Sequence, residues 1–150
     1  MSDIYMDKPP KSFWILAVIF VLWGLVGCGM YLVEMTMSDE AYAAAFGVEL
    51  AAVRDIYPVW GIAGYATAVW SGLLASILFI LRKRISVLIF VLSLLAAIIG
   101  FIPSFNNATL REAGGSGFWV MPLVVVLLGM FEIWYSRRML KPSEVGQKFS

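Results

Sequence analysis

The sequence predicts an all-α protein that spans a membrane as a bundle of four helices. Of its 150 residues, 61% are hydrophobic and only 14% are charged, which is too few to cover a soluble domain of this size. The hydrophobic residues form four blocks, and each block is long enough as a helix to cross a hydrocarbon core of about 30 Å. They do not alternate with polar residues as barrel strands do, and a backbone in lipid must satisfy its own hydrogen bonds. We therefore predict a single membrane domain over residues 1–150, with transmembrane helices at about 13–33, 59–81, 85–105 and 118–136.

The first helix follows a short basic arm that contains Lys8 and Lys11. Such an arm before an apolar run is also typical of a secretory signal, and residues 25–28 resemble a lipoprotein cleavage box that ends at Cys28. The apolar run nevertheless continues through residues 30–33, where a processed lipoprotein would have a flexible polar segment. The sequence therefore favours an uncleaved first helix, with a lipid-anchored form as the alternative.

The first loop, residues 38–58, carries the signals of short helices. Ser38 is a suitable N-cap, and Asp39 and Glu40 suit the positive end of a first helical turn. Apolar and aromatic residues then recur at spacings of three and four, namely Tyr42, Phe46, Leu50, Val53 and Tyr57. This pattern predicts one or two short amphipathic helices on the outer surface of the membrane.

The second helix carries a stripe of small residues at four-residue spacing. Its members are Gly64, Ala68, Gly72 and Ser76. Small residues let helix backbones approach closely, and such packing drives helix association in lipid. We favour packing within the bundle as the role of this stripe, with an interface between copies of the chain as the alternative.

The charged segments that flank the four helices predict how the chain is oriented in the membrane. Nine of the eleven Lys and Arg residues lie in the N-terminal arm, in the turn between the second and third helices, or in the C-terminal tail. They are Lys8, Lys11, Arg82, Lys83, Arg84, Arg137, Arg138, Lys141 and Lys148. The two remaining loops contain only Arg54 and Arg111. Because cytoplasmic loops are enriched in these cations, both termini are predicted to be cytoplasmic.

Several chemistries lack their usual residues. The chain has no histidine and a single cysteine, so a Cys/His metal site cannot form and the commonest general base is missing. There is no phosphate-binding loop or nucleophile elbow. The net charge of +1 gives no electrostatic reason for nucleic-acid binding. We predict no catalytic residue, no metal, no cofactor and no enzymatic activity.

Aromatic residues near the centre of the first two helices are the first candidates for ligand binding. Trp23 and Trp70 each carry an N–H that hydrocarbon cannot satisfy, so both are predicted to face the bundle. Tyr65 and Ser71 lie on the same helix as Trp70. Together these side chains could line a polar pocket for a small ligand, although ordinary helix packing is the favoured interpretation.

Two carboxylates within the apolar blocks are further candidates. Glu34 closes the first helix at its outer end, and Glu132 lies about one turn before the inner end of the fourth. Their difference in depth prevents them from acting as a catalytic pair. An intramembrane carboxylate is a candidate functional residue, and Glu34 is included in the predicted ligand site. For Glu132 an ion pair with Arg82, Arg84 or Arg137 is favoured.

A longer series of motifs carries a resemblance. It comprises Leu22-Trp23, Gly27, Tyr31, Met35-Thr36, Glu40-Ala41-Tyr42, Ala44-Ala45-Phe46, Pro58-Val59-Trp60, the segment from Val69 to Leu74, Arg82-Lys83-Arg84 and Ser93-Leu94-Leu95. This series resembles a family of small four-helix proteins of the bacterial inner membrane that genome annotation often labels sugar transporters. The resemblance implies that location and a small solute such as a sugar. The family often has a polar amide after the first-helix Trp, where this chain has Gly24.

Other four-helix families fit less well. Small multidrug exporters use a carboxylate in the middle of the first helix, whereas Glu34 is at its end. Claudin-like proteins need a cysteine pair in the first loop, which this sequence lacks. Two functions remain nearly level, a small transporter and a non-catalytic accessory or assembly subunit of a larger membrane complex. The expected partners are the lipid bilayer and either further copies of the chain or other subunits.

Overall fold

The computed structural model of the protein describes residues 8–140, and every secondary-structure element in that range is helical. The helices are α1 (Lys11–Thr36), α2 (Asp39–Phe46), α3 (Val48–Val53), α4 (Val59–Ile80), α5 (Ile85–Asn106), α6 (Ala108–Ala113) and α7 (Val120–Met139). Four of them, α1, α4, α5 and α7, are long and apolar enough to cross a membrane. The all-helical class and the four candidate spans are confirmed. The tail residues Lys141 and Lys148 and both chain termini lie outside the described range.

The bounds of the long helices differ from the predicted bounds by three residues or fewer. The largest extension is in α1, which begins at Lys11 and continues to Thr36. There the Thr36 hydroxyl donates to the Leu32 carbonyl oxygen at 2.7 Å, which supplies a partner for an acceptor of the last turn. Helix α5 contains Pro103 one turn before its end, where the lost N–H removes only one hydrogen bond.

The four long helices form a row in which α1 packs on α4, α4 on α5 and α5 on α7. The row closes where the Phe20 ring of α1 meets the rings of Phe131 and Tyr135 on α7, at centroid distances of 6.0 and 6.1 Å. We call this the Arg82 end, because α4 turns into α5 there. The opposite end, where α1 finishes and α4 begins, is called the Glu34 end.

The turn at the Arg82 end is a compact helix cap. The Lys83 N–H donates to the Leu78 carbonyl oxygen at 2.8 Å, and the Arg82 N–H donates to that of Phe79 at 2.9 Å. Arg82 has a φ of 58°, the left-handed conformation that ends a helix in this way. The two helices joined by this turn make the most extensive helix contact in the described part of the chain.

The predicted stripe of small residues on α4 lies against neighbouring helices. A Cβ atom on Gly64 would be 2.8 Å from the Gly100 nitrogen and 3.0 Å from the Ala96 oxygen of α5. Further along the stripe, the Ser93 hydroxyl of α5 donates to the Ala68 carbonyl oxygen at 2.7 Å. A Cβ on Gly72 would be 2.9 Å from the same hydroxyl oxygen.

The last member of the stripe contacts the other neighbour of α4. The Ser76 hydroxyl is buried and donates to the Phe20 carbonyl oxygen of α1 at 3.2 Å. Leu73 also meets α1, because its Cα would be 2.9 Å from a Cβ on Gly24. The small residues of α4 are therefore used where this chain packs its own helices.

The aromatic core lies at the Arg82 end. It contains Phe13, Ala17, Phe20, Ala75, Phe79, Phe90, Tyr135 and Leu140. The rings of Phe13 and Phe79 are 4.7 Å apart, and Phe79 also contacts Phe20 and Phe90. Interlocked rings of this kind fix the spacing of α1, α4 and α5 at that end.

Two short helices, α2 and α3, lie within the loop for which short helices were predicted. Ser38 caps α2 by accepting a hydrogen bond from the Ala41 N–H at 3.2 Å, as its position in the sequence suggested. Gly47 joins α2 to α3 with a φ of 105°, a conformation open to glycine but strained for other residues. The location of this segment at a membrane surface stays a prediction.

Candidate ligand site at the Glu34 end of the bundle

The predicted ligand residues are not gathered into one pocket at mid-helix. Trp23 is half-buried on α1, but the side chain of Trp70 is 46% exposed on the outside of the bundle. The expectation that Trp70 faces the bundle is corrected here. Helix α4 buries the face that contains Ala68 and Ala75, and Trp70 is about 200° around the helix from Ala68.

Ser71 does not present its hydroxyl to a pocket either. Its Oγ donates within α4, to the carbonyl oxygens of Thr67 at 2.5 Å and Ala68 at 3.4 Å. A serine bonded back to its own helix satisfies its polar group in an apolar medium without a partner. The two remaining predicted residues, Glu34 and Tyr65, are brought together elsewhere.

Glu34 and Tyr65 connect α1 to α4 at the Glu34 end. The half-buried carboxylate of Glu34 on α1 interacts electrostatically with the Tyr65 hydroxyl of α4. The Tyr31 ring, one turn before Glu34 on α1, packs edge-on against the Tyr65 ring at a centroid distance of 5.3 Å. A carboxyl group and a pair of rings therefore occupy the junction of the two helices.

Arg54 holds the first loop over this junction. Its guanidinium donates to the carbonyl oxygens of Met37, at 3.0 Å, and of Glu34. It also forms an ion pair with Asp39 at 3.2 Å and lies 4.7 Å above the centre of the Tyr42 ring. The Arg54 side chain is only 21% exposed, whereas that of Asp39 is 82% exposed. We expect the backbone and ring contacts to contribute more than the ion pair, because solvent screens exposed pairs.

Glu34 also influences the pKa values of two more tyrosines, Tyr42 and Tyr57. Burial raises the pKa of Tyr42, the Glu34 carboxylate raises it further, and Arg54 opposes this effect. Burial also raises the pKa of Tyr57, with a smaller contribution from Glu34 and an opposing hydrogen bond to Ser104. Both phenols therefore stay neutral at physiological pH.

Tyr57 ties the start of α4 to α5, because its hydroxyl donates to the Gly100 carbonyl oxygen. The full set, which we call the tyrosine–carboxylate cluster, is Glu34, Tyr31, Tyr42, Tyr57 and Tyr65 together with Arg54. Sequence reasoning identified Glu34 and Tyr65 as ligand residues but missed the other four. One signal in the sequence could have indicated this contact. Arg54 is the only cationic residue of its loop, and it follows Glu34, at the end of the first helix, by about twenty residues.

An open cleft also lies at the Glu34 end. It has a volume of about 520 Å³, and Ile56, Pro58, Trp60, Pro103, Asn106 and Leu110 are among its lining residues. None of the cluster side chains lines it. The cluster therefore lies apart from this cleft.

Glu132 is in a different environment from Glu34. It is 7% exposed on α7, towards the Arg82 end, where the buried hydroxyls of Ser86 and Tyr135 have no hydrogen-bond partner among residues 8–140. No group of three or more Cys, His, Asp or Glu side chains in residues 8–140 has the geometry to hold a metal ion.

Comparisons with protein-family models, with curated proteins and with solved structures find no match to the chain.

Proposed function

We propose that the chain binds a small solute at the tyrosine–carboxylate cluster and takes part in moving that solute across a bacterial inner membrane. The observation that supports this best is the half-buried Glu34 carboxylate, which lies between the Tyr31–Tyr65 ring pair and the loop that Arg54 attaches to the end of α1. Under the predicted orientation the cluster faces outwards, which is where an imported solute would first meet the protein.

The chemistry of the cluster suits a small polar ligand. The oxygens of a carboxylate have about four acceptor positions, so Glu34 can accept hydrogen bonds from a ligand. Ring faces such as that of Tyr31 give an apolar wall with a polar rim. A sugar, the solute class implied by the family resemblance, offers both hydroxyl donors and an apolar face.

Transport would require more than one copy of the chain. Within residues 8–140, α7 is the least buried of the four candidate spans, and the four helices form a row with few buried positions between them. We propose that a homo-oligomer, or a complex with other subunits, encloses the path. The cluster would then be the site of first binding in each copy.

Solute uptake into proteoliposomes tests this proposal. The full chain is reconstituted and uptake of labelled glucose and labelled choline is measured for the wild type, for Glu34→Gln and for Glu49→Gln. Glu49 is an exposed carboxylate in the same loop region and serves as the control. We expect uptake of at least one solute above that of empty vesicles, about tenfold lower in Glu34→Gln and unchanged in Glu49→Gln. Absence of uptake for both solutes, or equal uptake in Glu34→Gln, would contradict a transport role.

A second function is favoured by the exposure of α7. Its large apolar side chains Met121, Leu127, Met130 and Trp134 are exposed along the helix. We propose as the alternative that α7 packs against another subunit, for which this chain is an accessory or assembly factor. The mass of the complex extracted in mild detergent separates the two functions. A complex containing only copies of this chain would argue against the accessory role.

A further inference from the structure

The tyrosine–carboxylate cluster already contains a cation that belongs to the chain. The guanidinium of Arg54 is positioned over the face of the Tyr42 ring and donates to the backbone of Glu34. It is also close enough to the Glu34 carboxylate to act on it electrostatically. A site that attracts its own cation to a ring face beside a carboxylate has the features that attract a cationic ligand.

The other side chains of the cluster reinforce this preference. Tyr31 and Tyr65 meet edge to face, an arrangement in which the face of the edge-on ring is not used by the other ring. Tyr42 and Tyr57 lie within the electrostatic influence of the same carboxylate. Aromatic faces around one negative charge are the means by which proteins recognise alkylammonium groups. A neutral sugar gains the hydrogen bonds but not the charge attraction.

We infer that the solute recognised by the cluster carries an alkylammonium group, with Glu34 as its counter-ion and tyrosine rings as its walls. This inference rests on the proposed function and specifies its ligand class. Arg54 is then an internal competitor, because its guanidinium occupies a ring face and keeps the loop closed. The ligand must displace it, so removal of the Arg54 charge should strengthen binding of the ligand.

The same ammonium chemistry is found in free amines and in lipid headgroups. Glu34 is close to the end of α1, at a depth that a choline headgroup could reach under the predicted topology. The test must separate these sources. Nanodiscs of phosphatidylglycerol alone contain no ammonium group, whereas nanodiscs with added phosphatidylcholine present one in the bilayer.

Binding of choline and of glucose to the full chain in phosphatidylglycerol nanodiscs is measured by titration calorimetry. The variants are Glu34→Gln, Arg54→Gln and the control Glu49→Gln. We expect choline to bind, with a Kd at least about tenfold higher in Glu34→Gln, about fivefold or more lower in Arg54→Gln and unchanged in Glu49→Gln. Arg54→Gln removes the competing cation and leaves Glu34 in place, so it also tests the inference if Glu34→Gln fails to fold.

Added phosphatidylcholine identifies the source. A higher apparent Kd for choline in those nanodiscs supports a headgroup ligand, and an unchanged Kd supports a free amine.

Glu34-dependent binding of glucose without binding of choline would overturn the ammonium assignment and leave the proposed function standing. A choline Kd that is unchanged in both Glu34→Gln and Arg54→Gln would also overturn the assignment. So would the absence of choline binding even in Arg54→Gln. Absence of binding for both solutes, together with absence of uptake, would remove the proposed function as well.

Discussion

At the scale of single residues, Gly64 makes the closest approach to a neighbouring backbone among the glycines of residues 8–140. The Cβ that any other residue would add there lies within 3.0 Å of backbone atoms of Gly100 and Ala96, which cannot move aside as a side chain can. The sequence indicated close packing at this position through the four-residue spacing of small residues. It did not indicate which helix is the neighbour, because contact between α4 and α5 depends on how both helices rotate about their axes.

Replacing Gly64 by alanine should destabilise the protein by about 1–3 kcal/mol, the usual cost of overpacking. Gly29 is the matched control, because a Cβ there meets nothing within 4 Å. Gly29→Ala should be neutral or stabilising by up to about 1 kcal/mol through helix propensity. Loss of helical circular dichroism on heating in detergent measures both effects. Equal midpoints for the two variants would contradict the close contact between α4 and α5.

The raised pKa of Tyr57 predicts that the protein loses stability at alkaline pH. Its pKa is raised in the folded protein, chiefly by burial, so its contribution to stability is present below the ordinary phenol pKa of about 10 and is lost as pH rises beyond it. Ionisation would also remove the proton that the hydroxyl donates to Gly100. The melting midpoint of the wild type should therefore fall more steeply above about pH 10 than that of Tyr57→Phe. Parallel curves for the two proteins would show that other groups cause the alkaline loss.

At the scale of elements, the first loop is held by Arg54 more than by an apolar core. No residue of α2 or α3 is buried, yet the guanidinium reaches carbonyls at the end of α1 and a ring of α2. Capping residues and spacing predicted the short helices, because those signals are local. Attachment of the loop to α1 could not be predicted, because it depends on a contact across about twenty residues of chain.

Arg54→Gln should therefore loosen α2 and α3 without affecting the helix bundle. Hydrogen exchange of backbone amides should become about tenfold faster across residues 39–53 and stay unchanged in α4 and α5. Arg111→Gln is the control, because Arg111 contacts the Phe105 carbonyl oxygen at the other loop of the same end. That variant should alter exchange only around α6. Unchanged exchange in α2 and α3 of Arg54→Gln would mean that other contacts hold the loop.

At the scale of the whole molecule, hydropathy was sufficient for the number and the approximate ends of the long helices. The length needed to cross a bilayer is known, so each candidate span can be recognised from its own segment. The direction in which each side chain points, into the bundle or away from it, was harder to predict from the sequence. Trp70 has an N–H that suggested an inward position, but the small residues of α4 determine which face is buried. Packing of the smallest side chains therefore decided the rotation of the helix.

Orientation in the membrane remains the broadest prediction. Reporter fusions after Lys83 and at Ser150 should show a cytoplasmic location, and fusions at Asp55 and Ser116 an external one. The reason is that nine of the eleven cationic side chains lie on the predicted inner side. Protease accessibility of the same sites in sealed vesicles provides an independent measurement. Reversal at any two sites would contradict the predicted topology.

The compact turn at Arg82 has a consequence for biogenesis. Helices α4 and α5 are consecutive in the chain and make the most extensive helix contact, so their association closes only a short loop. Contacts that are local in sequence form fastest, because little chain entropy is lost in making them. We expect this hairpin to associate as soon as both helices have left the ribosome. It would then be the template on which α1, synthesised earlier, and α7, synthesised later, assemble from opposite sides.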